Sequence, residues 1–193
     1  MLALSLSGGG FPTIRSTLQR RADGMTLGLA RLSPFVGDGS RVAFEAIRFA
    51  ANLSGAMRFE TVATLDGRIS GGRVEELKLP VNATIAANGS IIVNNGCTPV
   101  AFRRLSVSGL RLSSTTMRLC PIDSGSLVRY TNGRVSGGAN IRAPRLTGTL
   151  GNTAVVLAAN QARITLAQGG FTIDQLSARV GAGVRLSTLD IAT

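Results

Sequence analysis

The sequence predicts an all-β protein, built mainly of antiparallel strands, with one short helix near the N-terminus. Residues 12–22 form the helix and residues 25–193 a β meander, within a single 193-residue segment. Three observations lead there. Apolar and polar residues alternate with a period of two from about Met25 onward, as half-buried strands require. Dipeptides that accept positive φ interrupt the alternation: Asp66-Gly67, Asn88-Gly89, Asn95-Gly96, Asn132-Gly133 and Gly169-Gly170, spaced to give strand-turn units of roughly 8 to 15 residues. Hydrophobic residues make up 44% of the chain, yet no run approaches the roughly 20 apolar residues of a membrane-spanning helix. The apolar side chains are therefore dispersed over faces.

In chain order, Met1 to Gly10 reads as a strand and a flexible break, with no basic region of the kind that opens a secretory signal. Ile14, Leu18 and Ala22 recur at helical spacing, with Pro12 suited to a first turn and Gly24 to a stop, which predicts the helix. Strands follow at Leu27 to Arg31, Ala43 to Phe49, Met57 to Val62, Leu105 to Val107, Leu110 to Leu112, Thr115 to Leu119, Leu146 to Leu150, Ile164 to Leu166, Phe171 to Asp174 and Val184 to Leu186. Asp66-Gly67-Arg68-Ile69-Ser70-Gly71-Gly72 is echoed by Asn132-Gly133-Arg134-Val135-Ser136-Gly137-Gly138, either a repeat or two similar hairpins with similar turns. One helix does not cover the apolar side of about fourteen strands of that spacing. A sandwich, a closed barrel, or a curved sheet whose concave face holds something else would each solve this. In the last case the lining is the apolar set of each strand: Phe102, Leu105, Val107, Leu110, Leu112, Met117, Leu119, Ile141, Leu146, Leu150, Ile164, Leu166, Phe171, Ile173 and Leu176.

Composition excludes much chemistry. With no His and two Cys, imidazole-based nucleophile systems and ordinary zinc or iron sites fall away. No metal site or cofactor is expected. Asp66, Glu75, Glu76, Asp123, Asp174 and Asp190 form no sequence cluster of the kind a polysaccharide-active β-helix enzyme needs. A surface adhesin built as a β-solenoid would show regular repeats of about 20 to 25 residues. The chain reads as a non-enzyme. Its net charge of +11 comes almost wholly from Arg. The arginines mostly stand singly between apolar residues, as the wet face of strands does, and aromatics are only 4%, so nucleic acid is not the expected partner. Cys97 and Cys120 fall at the ends of neighbouring strands. They are either two free buried thiols or a disulfide with Cα atoms about 4.4 to 6.8 Å apart, and a disulfide implies an oxidising compartment.

Two stretches carry a family likeness. Asn95-Gly96-Cys97-Thr98-Pro99-Val100-Ala101-Phe102-Arg103-Arg104-Leu105 through Leu110-Arg111-Leu112 to Leu119-Cys120-Pro121 resembles the C-terminal β-rich region of the YdbH family. Pro144 to Gly151, Ala162 to Leu166 and Gly170 to Ile173 are similar to the same region, which also bears the label of a dicarboxylate transport domain. That family belongs to the AsmA-like and TamB-like proteins of the bacterial envelope. The resemblance implies an elongated, curved antiparallel sheet folded into a taco-like apolar groove, with phospholipid as the ligand passing along it between inner and outer membranes. It also implies a periplasmic setting in a Gram-negative cell, and a longer parent chain whose N-terminal anchor makes the membrane contact.

Overall fold

The computed structural model describes residues 2–9, 11–69, 71–122, 125–167, 169–181 and 187–191. These form 22 strands and no helix: β1 Leu2–Gly8, β2 Phe11–Arg20, β3 Thr26–Leu32, β4 Phe35–Gly37, β5 Ser40–Phe44, β6 Ile47–Ala51, β7 Met57–Ile69, β8 Gly72–Ile85, β9 Ile91–Val93, β10 Thr98–Phe102 and β11 Arg104–Val107. They continue with β12 Leu110–Leu112, β13 Thr115–Pro121, β14 Val128–Thr131, β15 Arg134–Ser136, β16 Gly138–Arg142, β17 Arg145–Leu150, β18 Thr153–Ala158, β19 Gln161–Thr165, β20 Gly170–Asp174, β21 Leu176–Val180 and β22 Ser187–Ile191. All described pairings are antiparallel, in one large sheet that is neither closed nor strongly curled. The pronounced curvature expected of a taco is not seen. The expected strand at Val184 to Leu186, and Asp123, lie outside the described residues.

The predicted helix at residues 12–22 is instead strand β2, paired with β1 on one side and β3 on the other. Its sequence carries a second reading: Ile14, Ser16 and Leu18 alternate with Arg15, Thr17 and Gln19. A short helix bonds only with itself and is marginal. Two neighbouring strands offer β2 a full ladder and half-bury Ile14, Ser16 and Leu18, so the tertiary pairing overrides the helical spacing. Gly24, expected as a helix stop, has φ 82° in the β2–β3 hairpin turn, where the Met25 N–H donates to Asp23 Oδ1 at 3.0 Å.

The long β7–β8 hairpin is the spine, and the sheet branches from it. β7 pairs with β6 along one half and β5 along the other. β8 meets β9, β10 and β11 in turn along its length. One branch continues through β9, β14 and β15, another through β10, β13, β16, β19 and β20, and a third through β11, β12, β17, β18, β21 and β22. This departs from a simple meander. Long alternating stretches are broken in two, and each half enters a different branch.

The two echoed heptads also part company. Asn132-Gly133 makes the tight β14–β15 turn with both φ values positive, 51° and 78°. Asp66-Gly67 is no turn: it lies within β7 opposite a bulge, where Glu75 and Glu76 of β8 face Asp66 and Glu76 takes φ 48°. The Glu76 N–H donates to Asp66 Oδ1 at 2.7 Å, which holds the bulge.

Candidate functional site

Directly opposed residues of antiparallel strands share a face, so the register traces one face across the whole sheet. Leu2 of β1 opposes Leu18, Leu18 opposes Gly28, Gly28 opposes Phe49, Phe49 opposes Phe59, and Phe59 opposes Ala83. A Cβ at Gly28 would collide with the Phe49 ring, so the glycine is the slot in which that ring lies. Farther on, Val74 opposes Leu105, Leu105 opposes Leu112, and the row continues through Gly148, Val155 and Val180. This face is apolar along nearly its full extent. The other carries Arg73, Ser106, Arg111, Thr149 and Arg179.

Where strands break, the alternation slips by one residue. Val74 and Leu77, Phe102 and Leu105, Leu112 and Thr115, Ile141 and Leu146, Leu157 and Ala162, and Ile173 and Leu176 are each an odd number of positions apart, yet each pair lies on the apolar face. Without the extra residue every second half-strand would turn its hydrophobic set outward. The slips line up from β8 across to β21, with Glu76, Ala143 and Gln175 in positive φ at three of them. Such bulges re-aim a strand. Here they let apolar side chains from both sides of the line meet: Val74, Phe102 and Leu112 are buried at 2%, 5% and 5% exposure, with Leu65, Leu77, Leu105, Leu110, Met117, Leu146 and Leu157 packed around them.

Of the fifteen residues predicted as lining, fourteen fall on this face by register, and Leu166 follows just beyond the end of β19. They do not share one environment. Phe102 and Leu112 are buried in the cluster, whereas Leu150, Leu166 and Phe171 are exposed. The sequence reading stopped at Phe102 and missed the continuation through β1 to β9, where Leu4, Leu6, Phe49 and Phe59 extend the same face. Most exposed large hydrophobics belong to it, including Leu2, Leu4, Leu6, Phe35, Phe44, Ile69, Tyr130 and Phe171. The accessible surface is 12534 Å², against about 8,700 Å² for a compact monomer of this mass. The excess is what a single uncovered layer leaves open.

The polar face holds three local structures. Cys97 and Cys120, opposite one another across β10 and β13, form a disulfide with Cα atoms 3.9 Å apart, closer than the expected window. The bond points to an oxidising, extracytoplasmic compartment. Closing a 23-residue separation stabilises by about 3 kcal/mol. Wild type is therefore expected to melt higher without reductant than with it, and Cys97→Ser to melt alike in both. A wild type indifferent to reductant contradicts the bridge. Second, Asp66 and the adjacent pair Glu75-Glu76 converge at the bulge. Their carboxylates are taken up by Arg41 at 4.0 Å from Asp66, by Arg103 at 2.7 Å from Glu75 and 3.1 Å from Glu76, and by Arg104 at 3.2 Å from Glu75. Together these ion pairs clamp the bulge. Third, Asn94, 5% exposed, bridges β8 where β9 ends, its side chain accepting from the Asn82 N–H at 2.7 Å and donating to the Pro80 carbonyl at 2.8 Å.

No group of three or more His, Cys, Asp or Glu side chains suited to a metal ion occurs among the described residues. Comparison with family models, with curated proteins and with solved structures returned no match.

Proposed function

We propose that the apolar face shields phospholipid acyl chains, as part of a bridge-like lipid-transfer protein working between the inner and outer membranes of a Gram-negative envelope. The observation that carries this reading is the uncovered, continuous apolar face, crossing the sheet from β1 to β20 with exposed Leu4, Leu6 and Phe171 along it. An isolated exposed leucine is ordinary, but a contiguous apolar surface of this extent marks a binding face. Acyl chains match it chemically, each buried methylene contributing about 0.8 kcal/mol. The disulfide fits the periplasm. The all-antiparallel pairing fits neither a parallel β-helix enzyme nor a solenoid of parallel coils. Transfer on such a surface is passive: tails slide over side chains of similar apolarity, headgroups stay wet at the margins, and no residue forms a covalent bond.

Native mass spectrometry of the purified protein is expected to show bound phospholipid. Phe171→Asp, at a side chain 61% exposed, is expected to reduce that lipid several-fold while stability stays within about 0.5 kcal/mol of wild type. A wild type that carries no phospholipid overturns the reading.

A further inference from the structure

We propose that the gap where β13 and β16 diverge is a binding site for a phosphate-class oxyanion, held by Arg118, Arg142 and Arg145. The inference rests on the lipid reading in one respect only: the phosphate envisaged is a phospholipid headgroup.

The gap arises from the branching of the sheet. β13 joins β16 only at Cys120 opposite Asn140 and Pro121 opposite Ala139, while the preceding β12 joins β17. Between those contacts Thr115 to Leu119 and Ile141 to Arg145 part, leaving an open pocket of about 630 Å³ lined by Thr116, Met117, Arg118, Ile141, Arg142 and Arg145, with the disulfide at its edge. β10 occupies the other side of β13. Alternate residues of Thr115 to Leu119 therefore aim backbone N–H and C=O groups into the gap, where no strand receives them. Backbone donors in such a place take water or a ligand oxygen.

Charge points the same way. From Ser106 onward the sequence holds nine arginines against three aspartates. Arg118, Arg142 and Arg145 face Pro99, Gln161 and Ala158 across their ladders, all neutral. No ion pair among the described residues involves any of the three, in contrast to Arg41, Arg58, Arg103 and Arg104, each within reach of a carboxylate. The nearest acid by register is Asp174, two strands from Arg142. Three planar guanidinium groups and a hydroxyl around one opening suit a tetrahedral oxyanion, which takes paired N–H donors from each fork. Met117 and Ile141 belong to the apolar face and also line this gap. A phosphate seated among the arginines thus leaves an attached acyl chain beside that face.

The test is a titration of the full chain, followed through the arginine Nε–H resonances, first with inorganic phosphate and then with a short-chain phosphatidate below its micelle concentration. Shifts are expected at Arg118, Arg142 and Arg145. The triple change to Gln is expected to weaken phosphatidate binding at least tenfold, with Arg68→Gln and Arg73→Gln as controls on the same polar face. Circular dichroism checks that the exposed substitutions leave the fold intact. Shifts spread evenly over all arginines, no saturable binding, or a triple variant that binds as wild type does would each overturn the site. Inorganic phosphate saturating the three arginines while native protein carries no lipid would keep the site and remove the lipid reading. Lipid retained undiminished by the triple variant would do the reverse.

Discussion

Leu112→Asp is expected to leave the protein unfolded at room temperature. Leu112 is 5% exposed and packs with Val74 and Phe102 where the two sides of the bulge line meet. Removing a buried leucine costs about 2 to 5 kcal/mol by itself. An unpaired carboxylate in that position adds several more, and the sum rivals the roughly 5 to 15 kcal/mol that hold a domain folded. Leu112→Met, which keeps the volume, is expected to cost under about 1.5 kcal/mol. Far-ultraviolet circular dichroism and urea unfolding of the two variants check this. A Leu112→Asp protein with a wild-type urea midpoint would show that the cluster is no core. The same substitution at an exposed position of that face, such as Phe171, is expected to spare the fold. A charge at Leu112 therefore reports on the core, and a charge at Phe171 on what the face holds.

Asn94→Ala is expected to destabilise by about 3 kcal/mol. The side chain substitutes for a strand residue, receiving the Asn82 N–H and donating to the Pro80 carbonyl, while its own backbone N–H reaches the Asn82 carbonyl at 2.8 Å and its carbonyl accepts from Leu127 at 3.0 Å. Truncation leaves two polar groups of β8 without partners, at about 1 to 3 kcal/mol each when buried. Alanine also tolerates the φ of 49° less well than asparagine. Asn94→Gly separates the two effects, since it relieves the backbone and still loses both bonds, and it is expected to retain roughly two thirds of the loss. Urea midpoints at constant slope measure both. A Gly variant as stable as wild type would mean that the side-chain bonds contribute nothing.

The sequence by itself determined that the chain is β, that its strands are antiparallel, and which residues of β10 to β21 share a face. Period-two alternation and positive-φ dipeptides are local signals, set by neighbours within a few residues. The disulfide was legible as one of two alternatives, since Cys97 follows a turn and Cys120 closes an alternating stretch just before Pro121. A sharper reading of the alternation would also have found the bulges. The slip from Phe102 to Leu105, or from Ile173 to Leu176, is written in the order of residues, and a strict period of two passes over it.

Tertiary structure alone decided the rest. β2 is a strand because β1 and β3 flank it, and Ile14 and Leu18 fit a helix or a strand equally until those partners exist. Asp66-Gly67 and Asn132-Gly133 begin near-identical heptads, yet one lies opposite a bulge and the other is a turn, because Glu76 arrives opposite Asp66. The role of Asn94 and the gathering of Arg118, Arg142 and Arg145 depend on strands far apart in the chain. Non-local pairing is chosen by the summed free energy of ladders and burial, and no short window of sequence contains that sum.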